Sequence, residues 1–371
     1  MLGRGQADGE KRVILMFDND TDCIRWHAVN GTRIIKGTCR FSPAWPDRIA
    51  ASIGSQPQFE AIGYFLHHGG NRIKKSVGLL TPQNFCELEA CVKFLPECND
   101  LTGKIASYWL KALPHVPHIL LCDTAFFSRL PHAALNYAIP HRLQQQDIRR
   151  YGRYGLGHHW ASWRVQPYLR DPRANVISVY LGDHTNIAAL KGRRPLETSC
   201  GFTPIEGMLS LTGSGSIDPT IIFYLHSAGM SFREINELLS QKSGLAALLG
   251  KKSGLSAILN GGRNKKIMAA RDFYCYNLSK WIGGFAAILG GVDALVFFSE
   301  RPRAFKGIID DLGRRFAFLG LKLNRATSPE SSIMDLTGPS SAVKVFCLEY
   351  SPWKVMEEHI GAMIKTRRTL R

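Results

Sequence analysis

No apolar run in this 371-residue chain is long enough to span a bilayer, and the opening Met1-Leu2-Gly3-Arg4-Gly5-Gln6 leads into charged residues instead of a hydrophobic signal core. No membrane partner is expected, and a cytoplasmic location is. Cysteine never occurs at Cys-x-x-Cys spacing, and no histidine stands at zinc-finger distance from any of the nine. They read as reduced, mostly buried thiols, which argues against a disulfide framework. Acid is scarce: 30 Asp and Glu against 47 Lys and Arg give a net charge of +17, a balance that favours anionic partners. The basic residues nevertheless fall in short, scattered clusters such as Arg149-Arg150, Lys191-Gly192-Arg193-Arg194 and Lys251-Lys252, without interleaved aromatics on which bases could stack. A solvated basic surface is the simpler reading, and nucleic acid is not an expected partner. What remains is 45% apolar and 21% charged, the composition of an ordinary folded protein, and the length exceeds one typical core. Two domains are expected.

Strand signals come early. Val13-Ile14-Leu15-Met16-Phe17 is an apolar run entering the turn-rich Asp18-Asn19-Asp20-Thr21-Asp22, and Ile24 to Val29 alternates on the way back, which predicts a β-hairpin. Phe59 to Leu66 and His118 to Cys122 read as further strands, the second delivering Asp123 at its carboxyl end, where open α/β sheets place ligands. Val176 to Leu181, the turn Gly182-Asp183-His184-Thr185-Asn186 and Ile187 to Leu190 echo the opening hairpin. Ser231-Phe232-Arg233-Glu234 is a capping box opening a helix with Ile235, Leu238 and Leu239 on one face. Tyr274, Leu278, Trp281, Phe285 and Ile288 predict a core-facing helix that stops at Gly290-Gly291, and Pro352 to Ile364 reads as a last helix. The near-repeat Gln241-Lys242-Ser243-Gly244-Leu245 and Lys251-Lys252-Ser253-Gly254-Leu255 is too short to signal a solenoid.

Five motifs follow in order: Asp123-Thr124-Ala125-Phe126, Arg149-Arg150-Tyr151-Gly152, Gly201-Phe202-Thr203-Pro204-Ile205-Glu206-Gly207, Ser216-Ile217-Asp218-Pro219 and Asp293-Ala294-Leu295-Val296-Phe297. With their spacing, the chain resembles the acetate kinases of the actin-like ATPase superfamily. The resemblance implies an α/β chain with a duplicated actin-like (ribonuclease H-like) fold and two domains with a cleft between them. The first would be 1–160, with a C-terminal helix 350–371 packing back on it, and the second 161–349. It also implies ATP and Mg²⁺ as cofactors, a nucleotide and a small carboxylic acid as ligands, and a homodimer formed through the second domain. Asp123 is then the catalytic carboxylate; His158, Gly182 and Gly215 are the substrate- and phosphate-binding candidates; Asp18 is the candidate for the metal. Asp123 also suits a helix N-cap after a strand, which needs the same residue type.

The chemistry expected of such a family is phosphoryl transfer, which needs a phosphate cradle, a divalent ion and cations around the moving group. Here those positions depart from the family's pattern. Its first turn, Asn-Ala-Gly-Ser-Ser-Ser, is Asp18 to Cys23, where three carboxylates would face a polyanion at a cost of about 1 to 4 kcal/mol per close approach. Bound Mg²⁺ would offset that repulsion, while a solvated acidic turn is the plainer alternative. Cys23 and Val29, at the positions of its glycine and closing glutamate, argue against a calcium loop. Phe65 stands for a substrate-clamping arginine, Tyr154 for a transition-state histidine, and Gly213 for a second arginine. Asp183-His184 replaces Asn-Gly in the second turn, and Ser253 to Ala257 falls on a nucleotide-binding stretch. Glu300-Arg301-Pro302-Arg303-Ala304 replaces Gly-Ile-Gly-Glu-Asn.

Two functions are therefore expected from the resemblance. One is ATP-dependent phosphorylation of a short-chain carboxylic acid, acetate plus ATP giving acetyl phosphate plus ADP, impaired by these replacements. The other is a catalytically inactive member with a binding or regulatory role.

Overall fold

The computed structural model describes residues 12–19, 23–54, 57–250, 255, 264–324 and 332–369. They form two compact units: the chain up to Ala125 with the segment from Pro352 onward, and Phe126–Ser351. Each is built on one six-stranded mixed sheet.

In the first unit the strands are β1 (Val13–Phe17), β2 (Cys23–Asn30), β3 (Arg33–Arg40), β4 (Phe59–Leu66), β5 (Val77–Leu79) and β6 (His118–Cys122). Their order is β3-β2-β1-β4-β6-β5. β1, β2 and β3 form an antiparallel meander, β4 and β6 run parallel to β1, and β5 returns antiparallel on the far edge. β1, β4 and β6 are covered on both faces, so they read as nearly continuous apolar runs, whereas β2 alternates buried and half-exposed residues. Phe17, Trp45, Tyr64 and Trp109 interlock at the centre of this core.

The second unit carries β7 (Asn175–Tyr180), β8 (Asn186–Lys191), β9 (Arg194–Thr198), β10 (Ala294–Ser299), β11 (Ile333–Asp335) and β12 (Lys344–Glu349), in the order β11-β12-β10-β7-β8-β9. Counted from its own first strand, this is the arrangement of the first sheet, with the same meander, the same two parallel partners and the same antiparallel edge. The echo between the hairpins at Val13 and Val176 is thus the start of a whole repeated sheet. This is the α/β, duplicated actin-like fold.

The helix Gly155–Val165 packs on β7 and β10, in the way the C-terminal helix Pro352–Thr369 packs on β1 and β4. This accounts for the division of the chain. Residues 126–160, expected in the first domain, lie in the second compact unit, tied to it by Arg150 to Glu197, by the Tyr151 amide to the Gly201 carbonyl and by His158 to Ser178.

The Ser231 cap forms on both sides, its hydroxyl accepting from the Glu234 amide and the glutamate accepting from the Ser231 amide. The long helix spans Lys265–Leu289 and closes at Gly290; Tyr274, Leu278 and Phe285 are buried as expected. Ile288 is instead 51% exposed, with Leu289 taking the inward position, because a 3.6-residue period drifts off a strict three-four spacing over four turns. The second half of the near-repeat and most of Ser253 to Ala257 lie outside the described residues. None of the nine cysteines is joined in a disulfide, and five of them are buried.

Candidate active site

Ligands of such sheets gather at the carboxyl ends of the parallel strands. In the first unit, the ends of β1, β4 and β6 bring Asp18, His67 and Asp123. Asp18 is 6% exposed, and its carboxylate is already engaged. Oδ2 accepts from Arg25 Nη2 at 3.0 Å, and His67 Nε2 lies 3.1 Å from Oδ1 and 3.1 Å from the Asn19 carbonyl oxygen. Arg25 Nε also donates to the Asp18 carbonyl at 3.0 Å. Burial pushes this carboxyl up, but His67 and Arg25 together outweigh it and hold the acid below its ordinary range. Asn19 donates to Thr102 Oγ1 at 3.2 Å, while its own Oδ1 is buried without a hydrogen-bond partner. Phe65 is 8% exposed and meets the His67 ring edge-on at 4.8 Å. Asp123, 4% exposed, follows β6 with its amide donating to the Leu66 carbonyl, and next to it Thr124 Oγ1 accepts from the Gly69 amide at 2.9 Å. Asp20 and Asp22 lie outside the described residues. Among the described residues no three His, Cys, Asp or Glu side chains cluster as a metal would require.

In the second unit the corresponding strand ends are filled with aromatic rings. Tyr180, the last residue of β7, stacks on Tyr154 at 4.1 Å and touches Phe298 at 5.3 Å and Tyr350 at 5.8 Å. Burial, and Tyr154 beside it, keep the Tyr180 hydroxyl protonated. That hydroxyl lies against Gly182, so close that a Cβ there would stand 2.7 Å from it. The side of Gly182 on which a side chain would project is thus occupied by the chain's own tyrosine. Tyr154 holds a left-handed backbone (φ 56°) uncommon for a non-glycine residue, and Arg153 lies over its ring at 5.2 Å.

His158 is fully buried, with Nε2 donating to Asn186 Oδ1 at 2.8 Å and Nδ1 accepting from Ser178 Oγ at 3.0 Å. Burial lowers its pKa to about 3. Both ring nitrogens are therefore spent on protein atoms. Gly215 sits at φ +71° against the backbone of Leu209 and Gly207, which places it inside a turn. Gly213 makes a reciprocal turn with Ser210, its amide donating to Ser210 Oγ at 2.8 Å and its carbonyl accepting from the Ser210 amide at 3.1 Å.

The motifs kept intact have internal partners. Tyr137 donates to Glu206 and accepts from the Phe202 amide, while Arg150 bonds to Glu197 Oε1 at 2.6 Å and to the Thr198 carbonyl. Glu206 folds over Gly201, leaving no room for a side chain there. Gly-Phe-Thr-Pro-Ile-Glu-Gly is thus a structural clasp for the segment that carries Arg150.

A model of the acetokinase family matches residues 47–352 of this chain. The chain belongs to the acetokinase family. The acetate kinase of Coprothermobacter proteolyticus is 33% identical over 300 residues, covering 78% of this chain and 74% of the relative. The crystal structure of Entamoeba histolytica acetate kinase covers 95% of this chain and 100% of that one at a TM-score of 0.82 and 22% identity. That of Porphyromonas gingivalis acetate kinase covers 96% and 99% at 0.81 and 24% identity. At these identities the solved structures speak for the fold alone. The acetokinase match begins at 47, so Asp18 and the first turn lie outside it.

Acetokinases in general work with ATP and a divalent metal, and the residues present here do not fit that pair well. Asp18 is paired with Arg25 through Oδ2 and faces His67 Nε2 at 3.1 Å, so that only Oδ1, buried without a full hydrogen bond, is left toward a cation, and the Tyr180 hydroxyl lies against Gly182 in the second turn. Strand positions alone could have found the first of these. The β1–β2 register pairs Phe17 with Trp26, which sets Arg25 opposite Asp18. No comparable signal in the sequence announced the Tyr154–Tyr180 stack.

Proposed function

We propose that this acetokinase-family chain has kept the kinase framework while losing most of the acyl-phosphate chemistry, and that it works in the cytoplasm mainly through binding. The observation that carries this reading is the Tyr180 hydroxyl lying on Gly182, with Tyr154 stacked behind it. A phosphate approaching that turn meets a phenol ring, and Tyr154 stands where the family's transition-state histidine is expected. Phe65, Tyr154 and Gly213 each remove one group expected to stabilise the transferring phosphoryl. Losing one preorganised donor costs about 3 to 4 kcal/mol, a factor of about 10² to 10³. Residual conversion of acetate and ATP to acetyl phosphate and ADP is therefore at least about a thousandfold below that of an intact family enzyme.

Association is the second part of the proposal. Phe223 (65% exposed), Tyr224 (74%) and Phe232 (62%), on the helices Thr220–Ser227 and Phe232–Gln241, expose large rings that a monomer would rarely leave in water. Met268, Phe273 and Tyr276 on the helix Lys265–Leu289 are similarly exposed. A homodimer through this unit would cover such surface.

Trapping of acyl phosphate from acetate and Mg-ATP, run beside thermal melts with and without Mg-ATP, tests the reading. Turnover at least a thousandfold below an active relative, with no stabilisation by Mg-ATP, is expected. Robust turnover abolished by Asp123→Ala would reject it.

A further inference from the structure

The replacement of Gly-Ile-Gly-Glu-Asn by Glu300-Arg301-Pro302-Arg303-Ala304 spoils one kind of site, and its residues line another. A cavity of about 250 Å³ opens between the helix Lys306–Arg315 and the β11–β12 edge. Ile309, Leu323, Met334, Leu336 and Cys347 form its floor, with Ile309 and Cys347 almost wholly buried. Pro302 closes one wall, and Arg303 and Lys306 stand at the mouth with a single acid, Asp310.

We propose that this cavity binds a compact apolar monocarboxylate of about six to eight carbons, a ligand larger than the short acid of the family's reaction. Volume sets the size: an apolar cavity of about 150 Å³ admits benzene, so 250 Å³ takes a chain or ring of that order with a head group at the rim. Two cations against one carboxylate at the mouth set the charge. Asn324 is the single amide side chain in the lining, too little for a polyphosphate, and the space is below that usual for drug-sized ligands, which argues against a nucleotide. Arg303 and Lys306 lie three residues apart on successive turns and so reach one face together.

Calorimetric titration of the full-length protein with octanoate, 1-octanol and acetate tests the proposal without depending on turnover, so its failure is distinguishable from failure of the functional reading. Octanoate is expected to bind saturably, one per chain and at least tenfold more tightly than octanol, with no measurable acetate binding. Arg303→Ala with Lys306→Ala removes the preference for octanoate and spares octanol. Leu336→Trp, or Met334→Trp should the first fail to fold, fills the floor and abolishes both. Equal affinity for octanoate and octanol, octanoate binding unchanged by the tryptophan, or displacement of octanoate by Mg-ATP would each overturn it.

Discussion

His158 makes acid sensitivity a measurable property of this fold. Its ring is buried and neutral, with a pKa near 3 in the folded chain against an ordinary value of 6.5. Below 6.5 the unfolded chain takes up a proton that the folded chain refuses, so stability contributed by the neutral ring is complete above that pH and is lost as pH falls toward 3. At about pH 5 the gap to 6.5 is about 1.5 units, worth about 2 kcal/mol at about 1.36 kcal/mol per unit. The perturbation is His158→Gln, which keeps an amide donor near Asn186 but cannot titrate. Urea unfolding of both proteins at about pH 7.5 and about pH 5 gives four free energies whose cross-difference isolates this ring, since His118 and the other histidines are common to both. The wild type is expected to lose about 2 kcal/mol more than the variant over that interval. Equal losses would mean the ring is already protonated or solvated in the folded state, and the account of Asn186 and Ser178 as its partners would fail.

Three further outcomes follow from the geometry. Tyr137→Phe removes the hydroxyl shared by Glu206 and the Phe202 amide and should cost about 1 to 3 kcal/mol in urea unfolding; an unchanged midpoint would show that the clasp contributes nothing. Gly215→Ala places a Cβ 2.7 Å from the Leu209 nitrogen at a left-handed φ, so stability should fall by at least about 1 kcal/mol irrespective of any added nucleotide. An unaltered melt with altered ligand response would return Gly215 to a phosphate-binding role. Phe223→Asp with Tyr224→Asp should convert a dimer to a monomer in light scattering, and a wild-type monomer would dismiss that interface.

The parts legible in the sequence are those governed by local pattern. Phe59 to Leu66 and His118 to Cys122 coincide with β4 and β6, because strands covered on both faces must be apolar throughout. The Ser231 cap and the stop at Gly290 follow from backbone chemistry over three or four residues. The ordered motifs led to the family for the same reason: they are the turns and clasps on which the sheets depend. The site was less legible because its state is set by partners distant in sequence. His158 carries a ligand-binding expectation in the sequence, and only the fold shows that Asn186 and Ser178 lie at its two ring nitrogens. A substitution in a motif shows which group is missing; it does not show that Tyr180, 26 positions from Tyr154, lies against both Tyr154 and Gly182.

The helix Pro352–Thr369 lies on β1 and β4, with Met356 and Ile360 wholly buried and Ile360 occupying room that Gly63 leaves. During translation the first sheet is therefore made early and roofed late. Its apolar underside must wait on the ribosome for a helix encoded more than two hundred codons downstream, while the second unit carries its own roof ahead of β7. The usual order, in which the leading part of a nascent chain is finished first, is reversed. Until the last helix emerges, the exposed underside of β1 and β4 is the surface a chaperone would have to guard.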